Sequence, residues 1–126
     1  MDKPPKRILV AEDDRFLRKA AEVTLRRRGF TVLTASDGEA AVQMARAEAP
    51  DLVLLDLIMP KLQGFEVLRT LKQDPATEAI PVIVLSNLGQ PTDVRHAMEE
   101  GAAAYFVKAD LSLEALVQRV EEALQP

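Results

Sequence analysis

Five short apolar runs set the strongest limit on what this 126-residue chain can fold into: Ile8-Leu9-Val10-Ala11, Thr31-Val32-Leu33-Thr34, Leu52-Val53-Leu54-Leu55, Val82-Ile83-Val84-Leu85 and Tyr105-Phe106-Val107. Most are continuous rather than alternating, the pattern of strands covered on both faces. Between them the period becomes helical. Leu17, Ala20, Ala21, Thr24 and Leu25 recur at i, i+3, i+4, i+7 and i+8, and Gly64, Val67, Leu68 and Leu71 repeat the start of that spacing. Val94, Ala97 and Met98 do likewise, as do Leu113, Leu116, Val117, Val120 and Leu124. Ser36 with Glu39 predicts a capping box, Ser112 a cap for the last helix, and Gly29 and Gly101 the ends of the helices before them. Strands alternating with helices through short connections require a parallel sheet, right-handed crossovers and helices on both faces. The expected fold is a doubly wound α/β domain of five strands and five helices.

A chain of this length supports one hydrophobic core, so residues 1–126 read as a single domain with its core over about 7–124 and a loose Pro-containing tail before it. Hydrophobic residues at 48% and charged residues at 29% exclude a disordered or collagenous chain. Sixteen Lys and Arg against twenty Asp and Glu give a net charge of −4, with no basic excess to match a nucleic-acid backbone. Arg26-Arg27-Arg28 reads as a solvated helix end that complements the helix dipole. Cys is absent and His96 is the only histidine, so any metal must be held by oxygen. No apolar run is long enough to cross a membrane, and Met1 to Lys6 lack the apolar stretch of a secretory signal. The chain reads as cytoplasmic, with neither membrane nor nucleic acid as a partner.

In open parallel sheets ligands gather at the carboxyl ends of the strands, beside the point where strand order reverses. Glu12, Asp13 and Asp14 follow the first run, Asp56 the third, Ser86 and Asn87 the fourth, and Lys108 the fifth. Glu12, Asp13 and Asp56 would crowd up to three carboxylates into one cleft, a costly arrangement unless a cation intervenes. A few hard oxygen ligands suit Mg²⁺. Asp14, directly before Arg15-Phe16-Leu17, reads better as the cap of the first helix. A carboxylate on a sharp turn beside a metal and a lysine is also a phosphoryl acceptor, with Ser86 placed to donate to a phosphoryl oxygen.

These residues carry a family resemblance from Arg7 to Leu124. The segments Ile8-Leu9-Val10-Ala11-Glu12-Asp13-Asp14, Asp51-Leu52-Val53-Leu54-Leu55-Asp56-Leu57-Ile58-Met59-Pro60 with Gly64, Pro81-Val82-Ile83-Val84-Leu85-Ser86, and Gly101-Ala102 leading to Tyr105-Phe106-Val107-Lys108 resemble a receiver domain of two-component response regulators. The resemblance implies a flavodoxin-like (βα)5 fold with strand order 2-1-3-4-5. It implies Asp56 as phospho-acceptor, and Mg²⁺ held by Glu12, Asp13, Asp56 and the Ile58 backbone carbonyl. Lys108 would bind phosphate, and Ser86 and Tyr105 would be the switch pair. The implied phosphodonor is a phosphohistidine on a sensor histidine kinase or a histidine phosphotransfer protein. Such a domain promotes only its own phosphorylation and dephosphorylation.

Two positions depart from the usual receiver pattern. Ala109 follows Lys108 where most receivers have proline, which predicts a trans peptide there, and Asn87 is bulkier than the residue usual after the switch hydroxyl. Other classes fit less well. An aspartyl-phosphate hydrolase would need a second acid two residues after its nucleophile, and position 58 is Ile. A nucleotide-binding domain would want a glycine-rich first turn. The runner-up is a receiver-like binding module that signals without phosphorylation. Only Gln125 and Pro126 follow the last predicted helix, so output is expected through docking onto a downstream protein.

Overall fold

The apolar runs become parallel strands in the computed structural model, which describes residues 4–59 and 63–125. In chain order the elements are β1 (Arg7–Ala11), α1 (Arg15–Arg27), β2 (Thr31–Ala35), α2 (Gly38–Glu48), β3 (Leu52–Leu55), α3 (Gly64–Gln73), β4 (Val82–Ser86), α4 (Pro91–Glu99), β5 (Ala104–Val107) and α5 (Leu113–Ala123). A single 3-10 turn over Lys108–Asp110 separates β5 from α5. The sheet order is β2-β1-β3-β4-β5, every pairing is parallel, and the strand order reverses beside β1. This is the five-stranded (βα)5 arrangement that the resemblance implies. Met1 to Lys3 of the expected tail and Pro60 of the quoted motif lie outside the described residues.

The two-residue period of a strand divides the core between two faces. Ile8, Val10, Leu52, Leu54 and Ile83 pack with Leu25 of α1 and Leu116, Val117 and Val120 of α5. Their neighbours Leu9, Val53, Leu55, Val82 and Val84 pack with α2, α3 and Ala97 of α4. All four residues of β3 are buried, because β3 is the central strand with helices over both faces.

The helix ends follow most of the expected signals. Asp14 caps α1, its Oδ1 accepting from the backbone N–H groups of Phe16 at 2.9 Å and Leu17 at 3.1 Å. Ser112 Oγ caps α5 by accepting from Ala115 N at 3.1 Å. Gly29 and Gly101 take positive φ, 93° and 105°, in the turns that end α1 and α4. The capping box expected from Ser36 and Glu39 is corrected by one residue. Asp37 is the N-cap of α2 and accepts from Ala40 N at 2.9 Å, while Ser36 stands exposed just past the end of β2. A carboxylate at that position meets the helix dipole with a full charge, which a hydroxyl cannot.

Gly64 ties the fold to the carboxyl end of β3. Its N–H donates to the Leu57 carbonyl at 3.0 Å, and an added Cβ would sit 2.2 Å from Leu57 Cα and 2.8 Å from the Asp56 carbonyl oxygen. Those neighbours are backbone and cannot rotate away. Gly64→Ala should therefore destabilise the protein by roughly 3 kcal/mol, at the upper end of ordinary overpacking. Urea denaturation measures this, and a loss near zero would show that the 56–57 backbone shifts freely.

Candidate functional site

The site is built by hydrogen bonds that continue the sheet ladder one residue past the strands. Glu12 N donates to the Ala35 carbonyl and Asp56 N to the Ala11 carbonyl, each at 3.0 Å. These bonds hold the two acids side by side at the carboxyl ends of β1 and β3. Both are buried, at 5% and 6% exposure. Such carboxylates need partners, and Lys108 supplies one to each. Its Nζ lies 2.5 Å from Glu12 Oε1 and 2.9 Å from Asp56 Oδ2. The other oxygens are met by backbone: Asp14 N donates to Glu12 Oε2 and Ile58 N to Asp56 Oδ1, each at 3.1 Å.

Asp13 stands exposed beside this pair. Carboxylate oxygens of Glu12, Asp13 and Asp56 all lie within 4.8 Å of one another, a separation that one cation could bridge. With Asp14 occupied as the α1 cap, Asp13 is the free acid of the turn. An all-oxygen donor set of this kind fits a hard divalent cation.

Burial pushes the Glu12 carboxyl from its ordinary 4.5 up to about 7, with the Asp56 charge adding to the rise and Lys108 opposing it. Burial alone would lower the Lys108 ammonium, but its hydrogen bonds to Glu12 and Asp56 outweigh that and hold it above its ordinary value. Lys108 therefore stays charged. The Lys108–Ala109 peptide is trans, as are all peptide bonds among the described residues.

Ser86 is fully buried at the end of β4, and its Oγ accepts from Leu88 N at 3.3 Å. The half-buried Tyr105 donates its phenol O–H to the Leu88 carbonyl. Burial raises the phenol's pKa, which keeps it a donor. The two residues are thus joined through the backbone of Leu88. Asn87 is exposed.

Arg18 is a contributor that sequence reasoning passed over. From one turn inside α1, its Nη1 donates to the carbonyls of Glu12 at 3.0 Å and Asp13 at 3.2 Å. It braces the acidic turn through its backbone without touching a carboxylate. The available signal was a long cation placed four residues after the helix cap, at the spacing that returns it to the same face.

The family described as response regulator receiver domain matches residues 8–121. The chain is 39% identical over 102 residues to protein PilH of Pseudomonas aeruginosa, covering 81% of this chain and 84% of that protein. It is 40% identical over 115 residues to a gliding motility regulatory protein of Myxococcus xanthus, covering 91% of this chain. It spans only 15% of that relative and 44% of a probable transcriptional regulator of Guillardia theta. Among solved structures, the chemotaxis response regulator CheY4 of Vibrio cholerae superposes with a TM-score of 0.88 at 25% identity, covering 95% of this chain and 99% of that one. The receiver domain of a Francisella response regulator gives a TM-score of 0.86 at 26% identity, covering 93% and 94%.

A raised carboxyl pKa has a definite consequence for stability. Between about 4.5 and 7 the unfolded chain releases the Glu12 proton while the folded, metal-free protein keeps it. Stability on this account is full below 4.5 and falls as pH rises through that window. Glu12→Gln removes the titration, so the variant should gain thermal stability relative to the unsubstituted protein between pH 4.5 and 7.5. Melting curves in chelator at several pH values test this, and parallel curves would refute it.

Proposed function

Since the chain belongs to the response regulator receiver domain family, we propose that it is a phosphorylation-dependent switch in which Asp56 takes a phosphoryl group from a phosphohistidine. The donor is a sensor histidine kinase or a histidine phosphotransfer protein. The observation that carries this reading is the Lys108 ammonium held between two buried carboxylates at the mouth of the sheet. A receiver is a signalling module and turns over no external substrate. Glu12, Asp13, Asp56 and the Ile58 carbonyl are the ligands proposed for Mg²⁺, which when bound supplies positive charge against the transferring group.

The chain's own residues account for the rest of the transfer. An Asp56 carboxylate oxygen attacks phosphorus, the P–N bond of the phosphohistidine breaks, and the imidazole leaves with its electron pair. Ile58 N–H orients the carboxylate through Oδ1. Lys108, already charged against Oδ2, can follow the arriving phosphoryl oxygens. Ser86 offers its hydroxyl from the neighbouring strand. A Ser86 drawn toward the phosphoryl group releases Leu88 N, and the Leu88 carbonyl is the acceptor of Tyr105. The face formed by α4, β5 and α5 thereby changes shape for a downstream protein, as a shift in population between two states.

Acetyl phosphate with Mg²⁺, followed by intact mass, tests the proposal. The protein should gain one phosphoryl group, and Asp56→Asn should gain none while keeping an unchanged circular dichroism spectrum. A phosphorylation-independent binding module would show no gain in either, and a hydrolase would consume the reagent continuously.

The lifetime of the phosphoryl group should depend on Ile58 and Leu88. Ile58 is 55% exposed, and both side chains line one depression with Phe65 and Met59. Neither can hydrogen-bond a water placed in line with phosphorus. Ile58→Asn with Leu88→Glu should speed phosphate loss by about tenfold or more, given what positioning a reactant contributes. Mass measured over time after removal of acetyl phosphate decides this, and equal decay would remove both positions from control of the rate.

A further inference from the structure

Consecutive side chains on an extended strand point to opposite sides. Glu12 and Asp13 follow β1 directly, yet their carboxylate oxygens converge with that of Asp56 to within 4.8 Å. The chain must leave the strand conformation for this to happen, and it bends at Asp13. No glycine or proline stands between Ala11 and Arg15 to preset such a turn.

What holds the turn comes from the first part of α1. Arg18 meets three successive carbonyls: its Nη1 donates to Glu12 O at 3.0 Å and to Asp13 O at 3.2 Å, and its backbone N–H donates to Asp14 O at 2.9 Å. Nη1 carries two hydrogens, one for each side-chain contact. A single nitrogen reaches two neighbouring carbonyls only where both face the same way, whereas along a strand they point apart. Glu12 N on Ala35 O and Asp14 N on Glu12 Oε2 also pin the turn, but neither bond involves Asp13. Among the described residues, Arg18 is the one side chain bonded to the Asp13 backbone.

We propose that Arg18 is a positioning residue for the divalent-cation site: by drawing the Glu12 and Asp13 carbonyls to one side, it turns both carboxylates toward Asp56. The inference rests on the reading of Glu12, Asp13 and Asp56 as metal ligands, and adds to them a residue that touches no ion. Groups that orient ligands from behind commonly govern metal affinity by about 10–100-fold. Charge acts in the opposite direction. A guanidinium close to the acids repels a divalent cation, so by charge alone its removal would tighten binding. Position and charge therefore predict opposite signs.

Mg²⁺ and Ca²⁺ are each titrated into the chelator-treated, dialysed protein and into its Arg18→Met and Arg18→Lys variants, with the amides of residues 12–14 and 56–58 observed by NMR. Met keeps an apolar stem and a helix propensity close to that of Arg, so α1 itself is little disturbed. Arg18→Met should weaken Mg²⁺ binding by about tenfold or more. Ca²⁺ accepts irregular coordination whereas Mg²⁺ demands a near-ideal octahedron, so Ca²⁺ should lose less. Arg18→Lys keeps the charge without the planar fork and should fall between Arg18→Met and the unsubstituted protein. Unchanged or tighter Mg²⁺ binding in Arg18→Met would overturn the proposal, even with a lowered melting temperature, because Arg18 would then be a structural brace alone. Equal weakening for both ions would overturn it too, as would Arg18→Lys binding Mg²⁺ as tightly as the unsubstituted protein. An unsubstituted protein that takes up no Mg²⁺ would instead remove the ligand assignment itself, and the proposal with it.

Discussion

The rest of the site depends on one contact, the Lys108 ammonium that bridges Glu12 and Asp56. Two carboxylates at 5% and 6% exposure, set beside each other by the ladder of β1 and β3, repel one another and lose most of their hydration. Breaking a buried ion pair by removing one partner commonly costs about 3–5 kcal/mol, because the remaining charge stays stranded. Lys108 comes from the end of β5, and β4 lies between β5 and β3 in the sheet. The side chain therefore reaches past the end of β4, where Ser86 sits. One cation thus links the ends of β1, β3 and β5, and sets the electrostatic state in which the carboxylates wait.

That arrangement holds two of the three acids of the site inside it and one beside it. Asp56 receives an ammonium on one oxygen and a backbone N–H on the other. Glu12 is held in the same manner, and burial moves its carboxyl up to about 7. Asp13 stays outside the network, exposed and within bridging distance of both. The site therefore combines a carboxylate held on both oxygens, an acid that burial weakens, and an exposed third carboxylate. Arg18 holds the turn that carries two of the three without touching a carboxylate.

Much of this could be read from the residues because the relevant signals are local. Continuous apolar runs marked the strands, and β3 coincides with Leu52–Leu55. The other strands are each one residue longer than their apolar cores. Pairing partners extend them, as when Arg7 pairs with Thr31 and β4 runs on to Ser86. The cap of α2 was misplaced by one residue, since Ser36 and Asp37 are both good caps and only the end of β2 decides between them. Residues after strands identified the acids and the lysine, because the parallel topology itself brings those positions to one edge. Contacts that use backbone carbonyls were not legible. Arg18 on the acidic turn and Tyr105 on Leu88 depend on loop conformation, and no residue type at the accepting end announces them.

Burial is graded across the sheet in a way that favours movement on one side. β3 is buried throughout, whereas none of the four residues of β5 is fully buried. Ala97 is the one buried residue of α4, against three in α5 and four in α3. Elements with little buried apolar surface open at the low end of a protein's local stability. The α4 and β5 side can therefore rearrange while the centre, with the acids attached to its strand ends, stays fixed. In the proposed switch the signal passes from Ser86 at the end of β4, through Leu88, to Tyr105 on β5, out of the rigid region and into the soft one. A phosphoryl group need then bias only the weakly held edge. A bias of a few kcal/mol from differential contacts suffices to exchange the major and minor populations of such an element.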